Sequence, residues 1–182
     1  ALIVAPLRVC QKVWPHEIRR WSNFSHLSHC GIMGDEAKRR RNLILPTDIH
    51  IINRENVDWL SRIVDARKGP LPWDMIIFDE STSFKTWSSV RSRAARKLAK
   101  HIPYRLLLTG TPSPKDLGDL FPQIWLLDEG ASLGENITRF REEFCVAEGN
   151  QQYTKFKVRK TMQTALQERI SPMCLRLEIQ DY

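Results

Sequence analysis

Short, mostly apolar runs recur along the chain, and each is followed by a proline, a glycine or a polar residue. The runs cover residues 2–5, 49–52, 75–78 and 105–109. Runs of this length suit strands that are buried on both faces, as in a parallel sheet covered by helices. Between the runs, apolar residues recur every three or four positions, which is the spacing of amphipathic helices. The pattern therefore predicts an α/β fold with a parallel sheet and helices on both faces.

The predicted helices are defined by the residues that each should bury. Asn53 and Asn136 stand where an N-cap residue would begin two of these helices. One more helix is expected over 161–170. The two tryptophans of the first helix are expected to be core residues, the alternative being that they stack on bases. The sets predicted to be buried are Trp14, Ile18 and Trp21; Val57, Leu60 and Val64; Val90, Ala94 and Leu98; Leu117, Leu120, Phe121, Ile124 and Leu127; and Ile137, Phe140 and Phe144.

The last third of the chain adds a different pattern. Lys155, Lys157 and Arg159 alternate with Phe156 and Val158. This period of two predicts a strand that carries its three cations on one side. A short final strand is predicted over 173–177.

Composition narrows the class of protein. The chain has 182 residues, of which 42% are apolar and 27% charged, and this suits one globular domain with a core. The net charge of +7 makes nucleic acid the leading candidate partner, and a merely solubilising positive surface is the alternative. No apolar run approaches the roughly 20 residues that span a bilayer, so no membrane partner is predicted.

The four cysteines lie far apart and form no CxxC pair. Neither a zinc site nor a disulfide framework is therefore predicted, and this favours a reducing, intracellular location. His50 follows an apolar residue inside a predicted strand and is expected to be structural rather than a ligand.

Two adjacent carboxylates, Asp79 and Glu80, follow the apolar run 75–78. They would lie at the carboxyl end of a strand, where open α/β sheets bind their ligands. Two charges there are costly unless they meet a cation or a reacting group. In sheets that hydrolyse nucleotides, such an Asp holds the Mg²⁺ of MgATP, usually through water, and such a Glu polarises the attacking water. The alternative is an ordinary strand whose last turn is acidic.

Several stretches together resemble the Swi/Snf-related branch of superfamily two helicases. DESTSFK at 79–85 is similar to motif II, and LLLTGTPSPKDLGDLFPQ at 106–123 is similar to motif III. LIVAPLRVCQKVWPHEIRRW at 2–21 resembles motif Ia with its helix, and IHIINREN at 49–56 resembles motif Ib. The segment from 168 to 182 resembles the exit from the first RecA-like lobe towards the second. The motifs stand in the family's order over most of the chain.

This resemblance implies a RecA-like lobe of a DNA-dependent ATPase, with ATP and Mg²⁺ as cofactors. Asp79 would serve the Mg²⁺ through water, and Glu80 would act as general base. Lys85 matches the lysine that follows the acidic pair in this family. The residues that match the motif linking the nucleotide state to nucleic-acid contact are Thr109, Gly110 and Thr111.

The resemblance also implies contacts with a nucleic acid, DNA being favoured. They would involve Pro6, Leu7 and Arg8 after the first strand, and Asn53 and Arg54 after the third. Independently of the resemblance, Arg93, Lys97 and Lys100 form a basic stripe on a predicted helix over 88–100. That stripe is a candidate phosphate contact, or simply the solvated face of the helix. For the basic run 38–41, a solvated surface is favoured over a phosphate contact.

No GxxxxGK[ST] loop occurs in the sequence, so nothing in it would cradle the β- and γ-phosphates. We therefore expect residues 1–147 to form a first lobe that is incomplete at its N-terminus, without the strand that precedes this loop and would lie beside 105–109. Residues 148–182 would be a basic polar segment leading to a second lobe. The chain alone is expected to be inactive, and the alternative is a nucleic-acid-binding module without turnover. The expected location is the cytoplasm of a prokaryotic or virus-infected cell, or a nucleus.

Overall fold

A computed structural model describes residues 1–67, 69–110, 116–150 and 153–175. The chain divides into two compact units, Ala1–Pro112 and Ser113–Tyr182. The boundary predicted at 147/148 falls inside a strand of the second unit. No helix among the described residues is long and apolar enough to cross a membrane.

The first unit is built on a parallel sheet of five strands. In chain order they are β1 (Leu2–Ala5), β2 (His29–Ile32), β3 (Ile49–Asn53), β4 (Met75–Asp79) and β5 (Tyr104–Leu108). Their spatial order is β2-β3-β1-β4-β5, and all pairs are parallel. This confirms the predicted α/β fold.

Among the described residues, four α-helices connect these strands, and three more belong to the second unit. The connecting helices are α1 (Trp14–Arg20), α2 (Glu36–Leu43), α3 (Val57–Ala66) and α4 (Val90–Ala99). The second unit contains α5 (Phe121–Asp128), α6 (Ile137–Phe144) and α7 (Gln163–Ile170). Its two strands, β6 (Cys145–Asn150) and β7 (Tyr153–Val158), form an antiparallel hairpin.

The position of each strand in the sheet determines its burial. β1 lies between β3 and β4, and its residues Leu2 to Ala5 are at most 1% exposed. β5 is the last strand of the described sheet and pairs there with β4. Its residues Tyr104, Leu106 and Leu108 are 64%, 43% and 36% exposed. The leucine run of β5 is therefore less buried than its composition predicts.

Most predicted helices are confirmed, with corrections at their ends. Trp21 follows α1 in an extended conformation and is 54% exposed, so it is not a core residue. Val90 is the first residue of α4 and is also exposed, because the buried face of this helix starts at Ser92. The amide of Asn136 caps α6 as predicted, accepting hydrogen bonds from the backbone N–H groups of Thr138 and Arg139.

The strand predictions need three corrections, the first being that β6 was not predicted. β2 was not predicted, because it is short, contains Gly31 and buries only Ile32 fully. The last predicted strand, 173–177, is not observed where the structure describes it. Met173 ends a 3₁₀ turn, and Cys174 and Leu175 are not in a strand. Residues 176 and 177 lie outside the described residues.

His50 is structural, as predicted. Its ring is 2% exposed, and Nδ1 accepts a hydrogen bond of 3.0 Å from the indole N–H of Trp73. Nε2 lies 3.2 Å from the carbonyl oxygen of Asn42. Burial lowers the pKa of His50. A proton on Nδ1 would also be unfavourable, because it would point at the indole N–H of Trp73. The neutral ring thus links β3 to Trp73, in the segment before β4, by a hydrogen bond.

Candidate functional site

Most predicted site residues of the first unit lie at or just after strand ends, on one edge of the sheet. Parallel strands end at the same edge, and the register aligns Ala5 with Asn53 and Asp79 with Leu108. The segments that follow these strand ends are therefore neighbours. They contain Pro6, Leu7, Arg8, Arg54, Glu80, Thr109 and Gly110; Thr111 lies outside the described residues.

Asp79 is the last residue of β4 and is half-buried. Its Oδ1 accepts a hydrogen bond of 2.9 Å from the backbone N–H of Glu80. Its Oδ2 accepts one of 2.9 Å from the indole N–H of Trp14. The carboxylate is thus held in place by two neutral donors, and its negative charge is not cancelled by either of them.

Glu80 has a left-handed backbone, with φ 52° and ψ 55°. This conformation costs an ordinary residue roughly 1–2 kcal/mol. It ends β4 abruptly and starts a 3₁₀ turn, Ser81–Phe84, in which the N–H of Ser83 donates to the Glu80 carbonyl. The Glu80 side chain is exposed at the edge of the sheet, next to the more buried Asp79.

Phe84 anchors this turn. Its ring is 0% exposed and meets the ring of Phe78 edge-on, with 5.1 Å between the centroids. Lys85 follows as the C-cap residue and is partly buried. The buried ring therefore fixes the turn between the acidic pair and Lys85.

The residues after β3 form a connected polar group. Arg54 donates to Oε1 of Glu55 at 3.0 Å and to the hydroxyl of Ser83 in the turn after β4. Asn53 donates to Oε2 of Glu55 at 2.9 Å and does not cap α3, contrary to the prediction. Burial acts to raise the pKa of Glu55, but the hydrogen bonds from Asn53 and Arg54 outweigh it, so this pKa is lowered overall.

An open cleft of about 480 Å³ lies beside this group, lined in part by Arg54, Ser83, Thr86 and Arg91. Arg54 thus joins the segment after β3 to the turn that follows the acidic pair. Sequence reasoning missed Glu55, because a single acidic residue at a helix start carries no distinctive pattern.

The basic stripe is exposed as predicted, but part of it is already paired. Lys97 lies 2.7 Å from Asp65 of α3, and Arg93 donates to the carbonyl of Ser88. Because α4 must return to the start of β5, Arg93 lies nearest to the carboxyl edge. Lys100 lies about 10 Å further along the helix.

The acidic pair fits a magnesium ion. Carboxylate oxygens are the hard ligands that Mg²⁺ prefers, and this ion keeps several waters when it is bound through one carboxylate and substrate phosphates. The Glu80 N–H and the Trp14 N–H each take one position on the Asp79 carboxylate, so a water of the ion can still reach this carboxylate. Among the described residues, no cluster of three or more His, Cys, Asp or Glu side chains forms a cage for a metal ion.

Known proteins match this chain over nearly its whole length. The model of the SNF2-related domain family matches residues 1–181. Putative protein p41 of Acyrthosiphon pisum secondary endosymbiont phage 1 is 32% identical over 190 residues, which cover 100% of this chain and 40% of that relative. The chain thus spans less than half the length of this curated relative.

A solved structure supports the fold. The SWI2/SNF2 ATPase core of Sulfolobus solfataricus, determined in complex with dsDNA, superposes with a TM-score of 0.72 at 22% identity. The match covers 97% of this chain and 33% of that one. The parallel sheet thus has the fold found in a SWI2/SNF2 ATPase core, and the chain belongs to the SNF2-related domain family.

Proposed function

We propose that this chain works within a longer DNA-dependent ATPase, where it helps to couple ATP hydrolysis to movement on DNA or to remodelling of DNA complexes. The observation that carries the proposal is the position of Asp79 and Glu80. In a member of the SNF2-related domain family, Asp79 ends β4 and Glu80 follows it, at the edge where the segments proposed to contact nucleic acid also lie.

The chemistry follows from these two side chains. Asp79 would hold a magnesium ion through water, and that ion would offset the negative charge of the ATP phosphates. Glu80 would accept a proton from the attacking water as the water oxygen bonds to the γ-phosphorus. The bond to the ADP oxygen then breaks, and ADP and phosphate leave. The exposure of Glu80 allows it to reach a water outside the sheet edge.

Contact with DNA is assigned to the neighbouring segments. Leu7 and Arg8 are exposed after β1, and Arg54 is partly exposed after β3. Lys85, Thr109, Gly110 and Thr111 would relay the nucleotide state to these segments. DNA is favoured over RNA because the matched archaeal core was solved with dsDNA. The phage origin of the curated relative supports a virus-infected cell as the location.

The rest of the longer protein would supply a phosphate-binding loop and a second lobe. This agrees with the coverage of the two matches, since the chain covers 40% of the phage protein and 33% of the Sulfolobus solfataricus ATPase core. We expect residues 1–182 alone to show no DNA-stimulated ATP hydrolysis, whereas the full-length protein shows it. A coupled ADP-release assay on both proteins, with and without DNA, tests this. Turnover by residues 1–182 alone would contradict the proposal that the rest of the protein supplies the phosphate-binding loop. A full-length protein without turnover would favour the non-catalytic alternative.

The basic stripe allows a separate test of DNA contact. Replacing Arg93, Lys97 and Lys100 by Ala in the full-length protein should reduce the slope of log affinity against log salt by about 2–3, because each phosphate contact contributes roughly 0.9. The measurement is fluorescence anisotropy with labelled duplex DNA at several salt concentrations.

A matched control removes the same charge elsewhere. Lys38, Arg40 and Arg41 lie on α2 and are exposed. Their triple replacement by Ala should leave the slope closer to that of the wild type. If the stripe variant keeps the wild-type slope, the stripe is only a solvated face, and the phosphate contacts lie at Pro6–Arg8 and Asn53–Arg54.

A further inference from the structure

The hydrogen bond between Trp14 and Asp79 links two parts of the site that the proposed function treats separately. The indole N–H donates to Oδ2 of Asp79 at 2.9 Å across 65 residues of sequence. Trp14 begins α1, one turn after the segment assigned to DNA contact, and Asp79 is the carboxylate assigned to the magnesium ion. The proposed chemistry assigns no role to Trp14.

A π-helical turn places Trp14 at this position. The turn covers Val9–Val13 and runs without a break into α1. π-helical turns are rare and occur frequently at functional sites. Since a π-turn holds one residue more than an α-turn, it rotates the residues that follow by about 100° relative to a regular α-helix. The face on which Trp14 lies therefore depends on this turn.

Cys10 attaches the turn to the sheet. It is 0% exposed, and its Sγ lies 3.4 Å from the Ala5 carbonyl oxygen and 3.3 Å from that of Ile52. Burial raises the pKa of this thiol to about 12, so it stays protonated and can donate. The turn is thus fixed at the carboxyl ends of β1 and β3, while Leu7 and Arg8 just before it are exposed.

We propose that Trp14 is a positioning residue for Asp79, and that the π-helical turn couples the DNA-contacting segment Pro6–Arg8 to the magnesium-binding carboxylate. An indole suits this role because it donates one hydrogen bond and carries no charge. It fixes the orientation of the carboxylate without neutralising it, whereas Lys or Arg would compete with the metal ion. This inference rests on the proposed function and adds a residue to it.

Packing is the competing explanation for Trp14. Its ring is half-buried and packs against the cluster that contains Ile3, Cys10 and Ile18. Trp14→Phe keeps most of an aromatic side chain and removes the N–H donor. Replacing Trp14 with β-(3-benzothienyl)alanine keeps the shape of the ring system and removes the N–H donor, so it separates the two explanations more strictly.

The chain offers a matched control at the end of the same helix, where Trp21 is the C-cap residue of α1. The indole N–H of Trp21 donates to Oε2 of Glu17 at 2.7 Å, and both residues lie outside the site. Trp21→Phe therefore removes an indole–carboxylate hydrogen bond without touching Asp79.

The test uses the full-length protein and two readouts. The first is binding of a fluorescent ADP analogue, titrated with Mg²⁺ and repeated in EDTA. Loss of the donor should raise the Mg²⁺ concentration for half-maximal binding by about 10-fold, the lower range for a hydrogen bond to a charged group. Binding in EDTA and the unfolding temperature should stay near wild type. The second readout is the ratio of ATP hydrolysis with DNA to that without, which should fall.

The outcomes separate this inference from the proposed function. If the benzothienyl variant matches wild type and Trp21→Phe in Mg²⁺ dependence and in DNA stimulation, Trp14 only packs and the inference is wrong. If the Mg²⁺ dependence shifts but DNA stimulation is unchanged, the positioning role holds and the coupling through the turn is overturned. A wild-type protein with no Mg²⁺-dependent nucleotide binding would overturn both the inference and the proposed function.

Discussion

Replacing Glu80 by Gln in the full-length protein should lower DNA-stimulated ATP hydrolysis by at least about 100-fold, the usual scale for loss of a general base. ATP binding should persist, because Gln has the same size and Asp79 remains to hold the metal ion. The comparison is between the steady-state hydrolysis rate and the binding of a fluorescent nucleotide analogue.

Glu129 provides a control that matches the unusual backbone. It too is an exposed glutamate with a positive φ, 56°, and it lies at the end of α5 in the second unit. Glu129→Gln should therefore have near wild-type turnover. A Glu80→Gln variant that keeps more than a tenth of the wild-type rate would show that another group takes the proton.

The second large effect is expected at Phe84. Phe84→Ala should lower the free energy of unfolding of the chain by about 3–5 kcal/mol, the range for removing a buried aromatic ring. The ring is fully buried against Phe78, and its loss would leave a cavity under the turn that follows the acidic pair. Urea unfolding monitored by tryptophan fluorescence measures the change.

Phe24→Ala is the control for Phe84, since the Phe24 side chain is 52% exposed. It should change the free energy of unfolding by less than about 1 kcal/mol. Equal losses for the two variants would mean that the turn after β4 is not anchored by its buried ring.

Sequence reasoning predicted four of the five parallel strands and the position of the acidic pair. It did so because apolar runs are a direct consequence of burial on both faces of a sheet. β2 was missed since a half-buried edge strand with a glycine has no such run. Val90 and Trp21 were assigned to the core from periodicity, which cannot show where a helix begins or ends.

The contacts that connect the site were not predictable in the same way. The bond from Trp14 to Asp79 and the bond from Arg54 to Ser83 join residues far apart in sequence. They depend on strand order and on the π-helical turn, neither of which leaves a periodic signal. The sequence thus identifies the chemical groups, and only the fold shows which of them hold each other.

The left-handed backbone of Glu80 places stability and activity in opposition at a single position. Glycine adopts this conformation without the steric cost that a glutamate side chain imposes. The residue that the proposed chemistry requires is therefore one that the backbone tolerates poorly, a pattern typical of catalytic sites. A descendant released from selection for ATP hydrolysis could replace Glu80 with glycine and gain stability as it lost turnover. In any related chain, the residue at the position of Glu80 would then indicate whether selection still maintains ATP hydrolysis.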